Sequence, residues 1–195
     1  MRGPERPSPS APEELRTAVS AVENRGPAAA DLPPLQAAAY DAAKAGLRLL
    51  KHRARSEHEL RQRLLTAEHA ADAVDEAVER IRAWGLLDDA DFAAEWVRGR
   101  RRRRGRSRGA LERELREKGV AESHIADAVA DIDEADERER AGELIRGRLA
   151  RTGEGTTNDR SGERRRLVAF LARRGYPTGL AVSVVDSELA ARAVP

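Results

Sequence analysis

Residues 108–129 read RGALERELREKGVAESHIADAV, and the spacing of their apolar residues decides the fold. Leu111 and Leu115 are four apart, a gap of ten leads to Ile125, and Val129 follows four later. Residues four apart share a face of a helix, so each pair marks a helix and the gap leaves room for a tight turn. Gly119 stands four after Leu115, where a helix C-terminus calls for a left-handed backbone residue. The segment predicts a helical hairpin whose two apolar seams face each other.

The same spacing occurs twice more. Residues 57–78, EHELRQRLLTAEHAADAVDEAV, place Leu60, Leu64, Val74 and Val78 in register. Residues 164–185, RRRLVAFLARRGYPTGLAVSVV, do so with Leu167, Leu171, Ala181 and Val185. The pattern recurs after 51 residues and again after 56. Gly175 repeats the glycine of the turn, whereas Glu68 takes its place in the first segment, so that turn is expected to be built otherwise. A helical stretch precedes each hairpin, over 37–53, 90–103 and 135–151. Ser56 followed by Glu59 resembles a capping box at the start of the first hairpin. No convincing alternation of period two occurs. The expected fold is all-α: three tandem three-helix, helix-turn-helix-like repeats over 38–88, 89–134 and 135–195. Residues 1–37 contain seven of the nine prolines and read as a disordered tail outside the fold, with a transient helix near Glu13 to Glu23. TGEGTTNDRSGE, residues 152–163, reads as a surface loop inserted in the third repeat.

Composition narrows the function. Aromatic residues make up 3% and charged residues 36% of the chain, which suits helices packed along narrow seams better than one wide core. The absence of cysteine excludes disulfides, thiolate metal sites and cysteine nucleophiles. Neither a long apolar run nor a secretory leader is visible, so a cytoplasmic location without membrane contact is expected. Net charge is only +2, but it is unevenly spread. Residues 98–118 hold eleven basic and three acidic side chains, or +8; residues 127–139 hold seven acidic and one basic, or −6. Such polarity suits an anionic partner.

The basic run is the main candidate for contact with that partner. Arg98, Arg100, Arg101, Arg102, Arg103, Arg104, Arg106 and Arg108 are interrupted by glycines at 99 and 105. Guanidinium groups bind phosphate through paired donors and release counterions without reading bases. The competing reading is a solvated helix end favoured by the helix dipole. Two further clusters contribute Lys51, Arg53 and Arg55, and Arg165, Arg173 and Arg174, each also readable as a solvated face. Trp84, Phe92 and Trp96 could stack bases, but their spacing fits core positions better, with Trp84 against Leu86 and Leu87. Of Asp88 and Asp89, one should cap the helix that carries Phe92. The histidines at 52, 58, 69 and 124 lack metal-ligand spacing, and no phosphate loop occurs, so no catalytic, cofactor or metal site is expected.

Four blocks together resemble the RecX family of bacterial recombination regulators: LRLLKHRARSEHELRQRLL at 47–65, GLLDDADFAAEWVRGR at 85–100, RGALERELREKGV at 108–120 and LVAFLARRGYP at 167–177. The likeness spans residues 42–189. It departs at Leu86, where the family commonly has an aromatic, at Glu68, where it has glycine, and in the long 152–163 connection. The resemblance implies an elongated, curved array of repeats and a non-catalytic, monomeric modulator. Its expected partner is the RecA filament, whose growth, ATP hydrolysis and strand exchange it would hinder, with weak sequence-blind DNA contact and no small-molecule substrate. The alternative from the residues alone is a helix-turn-helix DNA-binding transcriptional regulator.

Overall fold

The computed structural model describes residues 12–23, 33–152 and 160–192, and among them it contains ten helices and no strand. These are α1 (Pro12–Glu23), α2 (Pro34–His52), α3 (Glu57–Thr66), α4 (Ala71–Ala83), α5 (Asp89–Arg104), α6 (Arg108–Glu117), α7 (Glu122–Ala128), α8 (Glu134–Thr152), α9 (Arg160–Ala172) and α10 (Thr178–Arg192). Helices α2–α4, α5–α7 and α8–α10 make up the three-helix repeats. None of the twelve apolar anchors that define the spacing is more than 4% exposed. None of the described helices is long and apolar enough to cross a membrane.

The chain forms two compact units, Met1–Glu95 with Leu115–Ile125, and Trp96–Glu114 with Ala126–Pro195. The division cuts through the middle repeat. In the first unit α2 packs on α4, α3 and α1, and Leu47, Leu50, Leu60, Leu64 and Ile81 are fully buried. Gly46 lets α2 approach α4 closely, since a Cβ there would lie 2.7 Å from Ile81 Cδ1. In the second unit α10 packs on α8 and α9 around Ile145, Leu171 and Val185.

Composition places residues 1–37 outside the fold, but α1 lies against α2 and contributes Leu15 and Val19 to the core. Two apolar residues four apart give even a proline-flanked helix a face to bury, and tertiary packing stabilises what propensity alone would leave marginal. Residues 1–11 and 24–32 of the expected tail, and 153–159 of the expected loop, lie outside the described residues. The last residues assigned to that loop are helical instead, because α9 starts at Arg160, with Glu163 in its first turn where the helix dipole favours an acid.

The three hairpin turns are built alike. Gly119 and Gly175 take φ of 70° and 92°, as the spacing predicts. Each is followed by a residue whose N–H reaches back to the second anchor: Val120 to the Leu115 carbonyl at 3.1 Å, and Tyr176 to that of Leu171 at 3.3 Å. Contrary to the sequence expectation, the first turn has the same form. Glu68 adopts φ 64°, and His69 N–H donates to the Leu64 carbonyl at 3.3 Å. A left-handed residue with a side chain is unfavourable by about 1–2 kcal/mol, which the completed backbone pattern here outweighs.

Candidate functional site

The hairpin starts and hairpin turns meet in two joints of corresponding construction, one inside each unit. In the first, Ser56 is the buried N-cap of α3, and its Oγ accepts from Glu59 N–H at 3.1 Å. The same hydroxyl donates to the Lys118 carbonyl in the turn of the following repeat at 2.5 Å. Asp89, at the start of α5, accepts from Glu57 N–H at 2.8 Å and so satisfies another amide of the α3 terminus. Burial and the nearby Glu57 charge raise the Asp89 carboxyl, while that hydrogen bond opposes them.

In the second joint Ser107, 51 residues beyond Ser56, is the buried N-cap of α6, its Oγ accepting from Ala110 N–H at 3.2 Å. Here the backbone N–H of Ser107 donates to the carbonyl of Arg174 at 3.1 Å. Glu137, in the first turn of α8, accepts from Arg108 N–H at 2.6 Å. Close approach needs the glycines. A Cβ on Gly175 would lie 2.5 Å from that of Ala110, and one on Gly119 would run into His58.

The capping box is half realised. Ser56 caps as expected, but the Glu59 carboxylate serves an ion cluster, accepting from Arg53 at 3.0 and 3.2 Å and from Lys118 Nζ at 2.7 Å. Burial alone would raise its pKa; the hydrogen bonds and charges of Arg53 and Lys118 outweigh this and hold it at about 2.

The structure divides the basic run. Arg100 lies over the Trp96 ring at 4.1 Å and pairs with Glu114 at 3.0 Å. Arg106 pairs with the other oxygen of Glu114 at 2.9 Å and donates to the Arg173 carbonyl at 2.8 Å. Arg108 is held by Glu112 at 3.0 Å and by the Ile132 carbonyl at 2.9 Å. These three brace the second unit. Arg101 is half-buried in the last turn of α5. Arg102, Arg103 and Arg104 are exposed at the end of α5, with no carboxylate partner among the described residues; Arg98 is exposed one turn earlier.

The secondary clusters are divided in the same way. In the first unit, Arg53 belongs to the Glu59 cluster, Arg55 reaches the Leu49 carbonyl at 3.4 Å, and Lys51 is half-buried. In the second unit, which also contains the basic run, Arg165 donates to Ser161 at 2.9 Å, Arg173 is exposed, and Arg174 stacks on Phe170 at 3.6 Å.

Among the aromatics, Phe92 is buried as expected and Trp96 is half-buried, its indole N–H donating to Glu114 at 3.0 Å. Trp84 departs from the expected core position: it is 37% exposed, because it is the C-cap residue of α4. Asp88 is the cap foreseen for α5, accepting from Ala90 and Asp91 N–H groups at 2.9 and 3.0 Å. Sequence reasoning missed Ser107, Asp89 and Glu137 as joint residues; the repeat offset applied to Ser56 would have found Ser107.

Two family models match the chain: the first three-helix domain of RecX over residues 42–80, and the second over 88–129. Among curated relatives, proteins named "Regulatory protein RecX" from Mycobacterium ulcerans and Mycobacterium marinum are each 48% identical over 145 residues, spanning 74% of this chain and 83% of theirs. The one from Mycolicibacterium smegmatis is 44% identical, covering 74% and 77%. The crystal structure of RecX from Lactobacillus salivarius aligns at TM-score 0.63 over 78% of this chain and 97% of its own, at 15% identity, a likeness of fold.

Proposed function

This chain belongs to the RecX family, and from that premise we propose that it binds RecA filaments on DNA in the cytoplasm and restrains their extension, ATP hydrolysis and strand exchange. The observation that carries this reading is the exposed edge formed by Arg102, Arg103 and Arg104, which lacks carboxylate partners among the described residues. Adjacent like charges repel one another, and an anionic surface relieves that repulsion while releasing condensed counterions. A nucleoprotein filament offers such a surface in its DNA phosphates and its protein carboxylates. Arg98 and Arg173, exposed in the same unit, extend the contact, whereas Arg100, Arg106 and Arg108 hold the supporting helices in place. The repeats at 38–88, 89–134 and 135–195 belong to the same reading, each adding basic residues to a monomeric, sequence-blind binder.

Replacing Arg102, Arg103 and Arg104 together with Ser tests the contact. The variant should keep its helicity and lose most of its inhibition of RecA ATPase. The salt dependence of its binding to single-stranded DNA should fall by about 0.7 log unit per decade of salt for each arginine that contacts phosphate. An inhibition curve that overlays the wild type would remove the α5 edge from the mechanism.

A further inference from the structure

Beside the second joint the protein has a cavity of about 430 Å³. Its lining comes from around the starts of three helices: Arg108 of α6, Asp133 and Glu137 of α8, and Pro177 and Leu180 of α10, with Ile132 between α7 and α8. All of these residues belong to the second unit. The volume lies at the lower end of the range for ligand pockets, enough for one long side chain and the backbone that carries it.

One charge in the lining has no counterion. Glu137 is 9% exposed, its Oε1 accepts from Arg108 N–H at 2.6 Å, and no cation pairs with the carboxylate among the described residues. Asp89, its counterpart in the first joint, is less deeply buried. A carboxylate as enclosed as Glu137 is unfavourable without a cation. The neighbouring charges are already matched: Arg108 by Glu112 at 3.0 Å, and Glu134 by Arg138 at 3.2 Å. Three helix N-termini bring about +0.5 each. Against that, residues 127–139, which supply four of the lining residues, hold seven acids and one base, or −6. The balance favours a cation.

We propose that the cavity binds a lysine side chain presented by a partner protein, its ammonium at Glu137 and Asp133 and its aliphatic stem along Ile132, Pro177 and Leu180. Long cationic side chains lay their methylenes on apolar surface and keep the charged end in polar surroundings, which matches this divided lining. The free oxygens select ammonium over guanidinium. Glu137 Oε1 is taken by Arg108 N–H, and Oδ1 of the exposed Asp133 by Asp136 N–H at 2.8 Å, so each acid has one oxygen left to offer. Single oxygens from separate acids suit the three donors of an ammonium, whereas a guanidinium is best met by both oxygens of one carboxylate. Arg108 Nη2, without a partner among the described residues, supplies a donor for the backbone carbonyl of the bound lysine. A free diamine has no such acceptor and sets a second ammonium against Arg108. A second copy of this chain is a poor source as well. Of its three lysines, Lys118 is engaged by Glu59 and Lys51 is half-buried, which leaves Lys44 exposed.

Amide NMR of the full chain, titrated with Nα-acetyl-lysine N-methylamide, tests the site. Saturable shifts should gather at residues 132–137 and 178–180, with a Kd on the order of 1 mM. The norleucine analogue has the stem without the charge and should bind roughly tenfold more weakly; the arginine analogue and 1,5-diaminopentane should also bind more weakly than the capped lysine. Glu137→Gln keeps an acceptor for Arg108 N–H and should weaken lysine binding roughly tenfold. Asp133→Asn keeps the cap of α8 and should weaken it about threefold, which preserves the test if Glu137→Gln fails to fold. No saturable shift at these amides, equal affinity for the norleucine analogue, or affinity unchanged in the variants would overturn the proposal. Tighter binding of the arginine analogue would overturn the choice of ammonium, and tighter binding of 1,5-diaminopentane the choice of a protein partner. Self-association in sedimentation that Glu137→Gln abolishes would assign the cavity to a second copy instead. No recombinase enters these measurements, so their failure and a failure of filament binding are separate results.

Discussion

The first joint is closed by charge and the second is not, although the backbone around them follows one plan. At Ser56 a buried hydroxyl links the α3 terminus to the next turn, and Glu59 locks Arg53 and Lys118 across the contact. At Ser107 the hydroxyl only caps α6, a backbone N–H makes the link, and Ala110 stands where Glu59 stood. The difference teaches that repetition preserves what the backbone needs, a small cap and a left-handed turn, while side-chain charge is free to diverge. Divergence is where binding capacity can arise.

The shared part of this comparison should break hardest at the turn glycines. Gly119→Ala forces a side chain into a left-handed conformation and into His58, and should destabilise the protein by about 2–4 kcal/mol in urea unfolding. Gly175→Ala meets Ala110 and Ser107 and should cost a similar amount; a large inequality would mean that the joints are not equivalent. The cap serines sharpen the contrast. Ser56→Ala removes both a cap and a link and should cost about 2 kcal/mol, against about 1 kcal/mol for Ser107→Ala, whose link is made by the backbone. Equal losses would show that the Lys118 hydrogen bond contributes nothing.

The smallest effect is the pH dependence of the first joint. The folded Glu59 pKa lies below its unfolded value, so its contribution is fully present above about pH 4.5 and is lost as the pH falls toward 2. With solvent screening the amount is about 1 kcal/mol. Subtracting the Glu59→Gln stability profile from that of the wild type should show this loss in that window, and a flat difference would mean that Arg53 and Lys118 do not act on the carboxylate.

The helices were legible because their signal is local: a four-ten-four spacing depends only on helical geometry and chain length, and all twelve anchors are buried. The turn at Glu68 was misread because propensity disfavours a left-handed glutamate, while the backbone pattern of the turn tolerates one. Leu15 and Val19 were missed because surrounding prolines mask a short amphipathic helix whose stability comes from α2. Trp84 was misplaced because its spacing says nothing about its position at a helix end.

The candidate site was legible only as a list of cations. Eight arginines within eleven residues, from 98 to 108, announce positive charge but are chemically alike in one dimension. Packing alone assigns Arg100 and Arg106 to Glu114, Arg108 to Glu112 and Ile132, and Arg102 to Arg104 to the exposed edge, because each assignment depends on which way a side chain leaves its helix and what lies across from it. The sequence by itself determined the all-α repeat, its caps and its glycine turns, since those follow from interactions within a few residues of chain. Which cations are paired, and which joint lacks its acid, depended on residues tens of positions apart coming together, and only the tertiary structure decided that.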